Sequence, residues 1–389
     1  MRFARRMDKL GVVASLEVLA KATQLEEEGK SIIHLEIGEP DFNTPDNIKE
    51  ACKKAVDDNY THYSPPAGFK KLRQAIAEYV TKERGFQVAP EEVIVTTGGK
   101  PIMYYALTLF AERGDEVLYP NPGYPVYESV INFNGAKAIP YPLRESENFS
   151  FKKDVFKSLI TPRTKMIIIN SPANPTGGIL SKDDLETIAG IAIKNDLIVL
   201  SDEIYSRILY KGEFISLASL PGMKERTIIL DGLSKTYAMT GWRLGWGIMN
   251  KDIAKAMNKL NGNIISCAPT MGQMAAVEAL KGSQGPVDEM VSEFKVRREL
   301  LVNGLNKIPG FKCLLPEGAF YAFPNIKGTK KNSKELAEYL LYEAGVALLP
   351  GNAFGKYGEG YLRISYANSR ENLEKAVAQI DKAISKLDI

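Results

Sequence analysis

The stretch Gly232-Leu233-Ser234-Lys235-Thr236-Tyr237-Ala238-Met239-Thr240-Gly241-Trp242-Arg243-Leu244-Gly245 sets a lysine among small residues, just after the apolar run Thr227-Ile228-Ile229-Leu230. Arg243 follows eight residues later, close to glycines. An amine attacks a carbonyl only after losing its proton, and partial burial or a nearby cation lowers its pKa. Arg243 supplies such a cation, and its planar guanidinium is suited to clamping a phosphate. A surface turn with a solvated lysine is the plain alternative for the same residues.

Other strings carry matching chemistry, and they fall where apolar runs end, the place where open α/β sheets bind ligands. Asn170-Ser171-Pro172-Ala173-Asn174-Pro175-Thr176-Gly177-Gly178 is stiffened by two prolines and two glycines, so Asn174 presents its amide from a rigid loop or simply forms an Asn-Pro turn. In Ser201-Asp202-Glu203-Ile204-Tyr205, Asp202 can pair with a protonated ring nitrogen and Tyr205 can reach a phenolic oxygen on the same side. A helix cap at Asp202, or a metal site from Asp202 and Glu203, are the competing readings; adjacent residues do not face each other. Thr97-Gly98-Gly99-Lys100-Pro101 joins a strand to a helix, leaving backbone N–H groups free for a phosphate, although it matches neither a Walker A nor a GxGxxG pattern. Tyr124 can stack on a ring or sit in a core. Arg363 lies in the alternating run Tyr361–Tyr366 and either faces solvent or seeks a planar carboxylate.

In this order and register the motifs resemble the class I/II aminotransferases of pyridoxal-phosphate fold type I, in look nearest to bacterial and archaeal-type aspartate aminotransferases. The likeness runs from Gly38 in Gly38-Glu39-Pro40-Asp41-Phe42 to Arg363. It implies pyridoxal 5'-phosphate bound covalently at Lys235. Gly99 and Lys100 amides, Ser234 and Arg243 would hold the phosphate, with Tyr63 reaching the phosphate of a neighbouring subunit. Tyr124 would stack on the ring, Asp202 would face its nitrogen, and Asn174 and Tyr205 its phenolic oxygen. Lys235, Asp202 and Tyr205 are the implied catalytic groups. Gly38, Asn174, Tyr124 and Arg363 would receive the substrate, and Lys100 a distal carboxylate. The resemblance thus implies amino-group transfer from an L-amino acid, aspartate favoured, to 2-oxoglutarate, in a homodimer with shared sites. One position departs: many relatives carry a phosphate-binding serine where this chain has Gly232. Tyr124 stands where aspartate-specialised relatives have tryptophan, which leaves alanine, aromatic or broad donor specificity open. A C–S lyase of the same fold would use the same residues. A cofactor-sensing transcription regulator would need an extra DNA-binding domain, for which Gly38 leaves little room.

These residues need elements to hold them. Apolar runs at Glu92–Thr96, Glu116–Tyr119, Lys165–Asn170, Leu197–Ser201 and Thr227–Leu230 read as strands, with another over Arg243–Met249. Helix-period segments alternate with them at Pro101–Ala111, Tyr124–Phe133, after Ser181, and at Lys251–Leu260. The expectation is an α/β fold: a large domain with a mostly parallel sheet between helices, seven-stranded if the resemblance holds, plus a smaller α+β domain. Residues 46–285 would form the large domain, 286–389 the small one, and 1–45 an N-terminal arm that joins the small domain. In the latter part, a helix at Val287–Leu305, strand-like Phe311–Leu315 and Ala319–Phe323, a helix at Lys334–Ala344, the run Tyr361–Ser365 and a final helix are expected, with the helix at Leu16–Glu28 packing nearby.

Composition narrows the function classes. The net charge of +3 implies no broad nucleic-acid or membrane field, and no apolar run is long enough to span a bilayer. Cys52, Cys267 and Cys313 are few and widely spaced, as in a reduced cytoplasmic protein. His34 and His62 are the only histidines, which disfavours histidine triads and multi-histidine metal sites. No metal and no flexible linker is expected.

Overall fold

The computed structural model describes residues 2–11 and 14–387. Seven strands build the central sheet: β1 (Val93–Thr96), β2 (Glu116–Asn121), β3 (Lys137–Pro142), β4 (Thr164–Asn170), β5 (Ile198–Asp202), β6 (Thr227–Gly232) and β7 (Gly245–Ile248). Their order is β1-β7-β6-β5-β4-β2-β3. Only β7 runs antiparallel to its neighbours; the remaining pairings are parallel.

The central strands are continuous apolar runs because both faces are covered. Ile94, Ile168, Leu200 and Ile228 pack with Ile102, Tyr105 and Met257 on one face. Val93, Val95 and Ile229 point the other way, against Leu72, Ile76 and Val80. Farther along that second face, Ile167, Ile169 and Val199 meet Leu185 and Ile188. The helix Lys182–Lys194 starts where the acids predicted it would: Ser181 accepts from the Asp184 N–H and Asp184 reaches back to the Ser181 N–H.

Parallel pairing aligns the strand ends that matter. Asn170 pairs with Asp202, and Asp202 with Leu230, so β4, β5 and β6 end side by side. The loops after them carry Asn174, Tyr205 and Lys235.

A second core gathers the helices Gly285–Leu305, Ser333–Ala344 and Arg370–Ile384 around an antiparallel sheet of Leu349–Pro350, Leu362–Ser365 and Tyr321–Ala322. The early segment Ile33–His34 pairs parallel with Val346–Ala347, and the Ser365 N–H donates to the Leu35 carbonyl at 2.8 Å. Ala22 and Leu25 of the helix Ala14–Glu27 pack on Leu341 and Ala347. One expectation fails: Phe311–Leu315 is no strand, and of Ala319–Phe323 only Tyr321–Ala322 is one. The Asn306 side chain bonds both the N–H and the C=O of Cys313, at 2.7 and 3.0 Å, taking up groups that a strand neighbour would need. Ala319, at φ 58°, bends the chain just before Tyr321.

Among the described residues no helix is long and apolar enough to cross a membrane.

Candidate active site

A cavity of about 560 Å³ opens where the strand ends meet the second core. Gly38, Gly99, Lys100, Tyr124, Asn174, Asp202, Tyr205, Ser234, Lys235, Arg243 and Arg363 all line it. Of the residues marked in the sequence only Tyr63 lies outside, on the surface and 88% exposed.

Lys235 sits in the short helix Leu233–Thr236 that follows β6. Its Nζ donates to the Gly38 carbonyl at 2.5 Å. Burial lowers the amine to about 8; Glu39 opposes this, while Arg363, Arg243 and Lys100 add to it. Asp202 ends β5 with its carboxylate buried. Burial pushes its pKa up to about 6, Glu203 adds to the rise, and the Tyr127 hydroxyl, the Ile204 N–H and Lys235 hold it down. The Tyr127 hydroxyl donates to Asp202 Oδ2 at 2.6 Å, and the Ile204 N–H faces Oδ1 at 3.3 Å.

Glu203 points away from the cavity. It accepts from Arg84 Nε at 2.9 Å, while the same guanidinium reaches Asp231 at 3.0 Å and Ser206 at 2.5 Å. Ser201 and Ser216 complete the carboxylate of Glu203. This buried cluster ties the residue after Asp202 to the end of β6, and it leaves Glu203 no part in a metal site with Asp202. Burial drives Asp231 up to about 7, against the pull of Arg84.

The Asn170–Gly178 loop is anchored by Asn170, whose amide donates to the Asp202 carbonyl at 3.1 Å and whose Oδ1 accepts from the Asn174 N–H at 2.8 Å. Asn174 Oδ1 is buried without a partner among the described residues, a polar atom suited to a ligand. Tyr124 follows β2; the Gly123 N–H bonds to the Phe354 carbonyl and the Tyr357 N–H to Asn121 Oδ1, both at 3.0 Å. Its ring lies edge-on to Tyr127 at 5.6 Å and under Lys100 Nζ at 5.8 Å. Burial and Arg243 lower the Lys100 amine.

A phosphate cradle is present in kind. Gly98, at φ 86°, leaves room that a Cβ would take from the Arg243 guanidinium, and a Cβ at Gly99 would strike Leu230. The helix Lys100–Phe110 begins there, and Gly99 and Lys100 at its start line the cavity. Arg243 is fixed by the Thr240 carbonyl at 2.8 Å. The glycine at 232 has a packing reason: it pairs with Gly245, and a Cβ would stand 2.9 Å from Gly245 Cα and 3.0 Å from the Leu244 carbonyl oxygen.

Arg363 is buried between the rings of Tyr321 and Phe354, at 4.6 and 5.2 Å. It donates to the Glu36 carbonyl, and its Nε has no partner among the described residues. Burial pulls this guanidinium below its ordinary value, which favours an incoming carboxylate. Sequence reasoning missed Tyr127, Tyr321 and Arg84. Tyr127 stood three residues after Tyr124 and was open to discovery by helical spacing; the other two arrive only through tertiary contacts.

The orphaned Asn174 oxygen, the glycine cradle beside Arg243, the depressed Lys235 amine and the buried Asp202 carboxylate fit a phosphate-bearing ring aldehyde with a basic nitrogen. Comparison with known proteins gives the family. The family model for aminotransferase class I and II matches residues 30–380. An aspartate aminotransferase of Pyrococcus abyssi is 44% identical over 91% of this chain and 92% of its own. Aromatic-amino-acid aminotransferase 2 of Thermococcus litoralis is 41% identical over 97% of this chain and 98% of its own. The crystal structure of Thermus thermophilus aspartate aminotransferase with maleate superposes with a TM-score of 0.95 at 37% identity, covering 98% of this chain and 100% of that one.

Proposed function

The chain belongs to the class I and II aminotransferases, and from that premise we propose that it moves the amino group of aspartate to 2-oxoglutarate, using pyridoxal 5'-phosphate held at Lys235. The observation that carries the dicarboxylate reading is a second cation. Lys100 stands over Tyr124 in the cavity that also holds Arg363, so each carboxylate of the substrate has a cationic partner.

The cofactor, when bound, supplies the carbonyl that takes up the amino group and the ring that accepts the electron pair left at the substrate α-carbon. The chain supplies the rest. Lys235, with an amine near 8, is partly neutral at physiological pH and would carry the proton from the substrate α-carbon to the former carbonyl carbon of the cofactor. Asp202 offers the ring nitrogen a buried anion. Tyr205 and Asn174 serve the phenolic oxygen, Tyr124 covers the ring face, and Arg243, Ser234 and the Gly99 and Lys100 amides hold the phosphate. Arg363 grips the α-carboxylate, with Asn174 and Gly38 beside it.

Tyr63 makes a homodimer part of the proposal. It is exposed, and Arg243 is exposed at the cavity rim, so Tyr63 of the partner subunit would complete the phosphate site. The three cysteines are unpaired thiols, which suits the cytoplasm.

A broader donor range has one observation in its favour: Leu16, Ile37, Met103 and Tyr124 give the same cavity an apolar wall. The deciding experiment is the absorption of the holoenzyme during single half-reactions. Conversion by aspartate and glutamate ahead of alanine and phenylalanine is expected; a lead for phenylalanine would transfer the assignment to aromatic donors. Release of pyruvate or ammonia without conversion would replace transfer by lysis.

A further inference from the structure

Tyr321 holds no assigned role, yet it touches three parts of the site. Its strand pairs antiparallel with Leu362–Ser365, Tyr321 opposite Ser365. Side chains two residues apart share a face of a strand, so Tyr321 and Arg363 emerge on the same side. The ring of Tyr321 lies 4.6 Å from the Arg363 guanidinium. Its hydroxyl lies 2.7 Å from the Tyr205 hydroxyl. That hydroxyl also fills the space beside Gly38, where a Cβ would collide with it, and the Gly38 carbonyl holds Lys235.

We propose that Tyr321 is a positioning residue that couples the carboxylate clamp to the cofactor: its ring seats Arg363, and its hydroxyl sets the direction and strength of the hydrogen bond that Tyr205 gives. The inference rests on the assignment of Tyr205 to the cofactor's phenolic oxygen. Burial raises both phenols above their ordinary values, so each keeps its proton across the working pH range. Two buried hydroxyls sharing one contact have two protons to place. With the Tyr205 proton turned to the ligand, the Tyr205 oxygen is free to accept from Tyr321. A hydroxyl that accepts a hydrogen bond donates a stronger one. Tyr321 thereby makes Tyr205 a better donor to a phenolate and lowers the pH at which that phenolate forms. The same side chain, through its ring, fixes where the substrate carboxylate is received.

The test uses three variants of the holoenzyme and two readouts: the pH midpoint of the bound cofactor's absorption change, and KM for the amino acid. Tyr205→Phe is expected to raise the midpoint. Tyr321→Phe keeps the ring and is expected to raise the midpoint in the same direction, by roughly half a pH unit, with KM within about twofold of the parent. Tyr321→Leu removes the ring as well and is expected to raise KM by roughly tenfold. A midpoint that moves in Tyr205→Phe but not in Tyr321→Phe overturns the coupling alone. A midpoint unmoved in both overturns the Tyr205 assignment and the coupling with it.

Discussion

The Tyr127 hydroxyl donates to the buried Asp202 carboxylate at 2.6 Å, from the first turn of the helix Val126–Phe133 that follows Tyr124. This is the strongest polar contact that Asp202 makes with a side chain, and it favours the anion against a burial that pushes the acid up to about 6. Tyr127→Phe is expected to raise the Asp202 pKa, because the lost bond stabilised only the charged form. The acid limb of the kcat/KM profile should move to higher pH, and turnover at neutral pH should fall by roughly tenfold to a hundredfold, the worth of a hydrogen bond to a charged group. An unmoved acid limb would mean that Asp202 is held by the cofactor alone.

Lys235→Ala is expected to abolish transfer while the protein still binds pyridoxal phosphate weakly. Full turnover would remove Lys235 from the mechanism. The same residue sets a stability trend in the cofactor-free protein. Its folded pKa, about 8, lies below the ordinary value of 10.5, so between those values the unfolded chain binds more protons and stability from this group rises with pH. Below about 8 the charged amine is a burial cost in the fold. Lys235→Met should therefore raise the denaturant midpoint of the cofactor-free protein at pH 7, with the gain shrinking as pH rises above 8.

Arg363→Lys keeps a charge but loses the planar fork that matches a carboxylate. KM for amino and oxo acids is expected to rise by roughly a hundredfold, the loss of a bidentate contact, with a smaller change in kcat. Lys100→Met should leave the alanine reaction nearly unchanged and cut kcat/KM for aspartate by about tenfold or more. Equal losses for both donors would put Lys100 in the phosphate site and not at the distal carboxylate.

Gly232→Ser restores the hydroxyl that many relatives carry, yet the backbone of Gly245 and Leu244 leaves its Cβ no room. The variant is expected to lose about 1–3 kcal/mol of stability from overpacking between β6 and β7, read as a lower thermal or denaturant midpoint. A variant of parental stability would mean the two strands separate easily there.

How much of this was legible in the sequence follows from where each signal resides. Strands β1, β2 and β4 to β7 are short apolar runs because the sheet is buried on both faces, and those runs were read directly. Strand β3, Lys-Ala-Ile-Pro-Tyr-Pro, escaped: it is an edge strand, half-exposed, where Pro140 and Pro142 are tolerated. The helix Thr270–Lys281 also went unread, since it buries Thr270, Gly272 and Gln273 and shows no clean apolar stripe. In the site, residues that sit in compact strings were found by their strings. Arg84 was not, because its meaning lies in Glu203 and Asp231, far along the chain. Tyr321 was hidden for the same reason, its partners being Tyr205 and Arg363.

The pairing of Ile33–His34 with Val346–Ala347, and of Leu35 with Ser365, has a bearing on birth order. During synthesis the segment that carries Glu36 and Gly38 leaves the ribosome early and waits for partners that come more than three hundred residues later. The central sheet, with all its strands between Val93 and Ile248, can close meanwhile. Lys235 and Asp202 are made before Val346–Ala347 and Ser365, the partners that seat the segment carrying the Glu36 and Gly38 carbonyls. Pairing of so early a segment with so late a one cannot be complete before Ser365 has been made, and it gives the carboxylate-binding half of the cavity a high contact order.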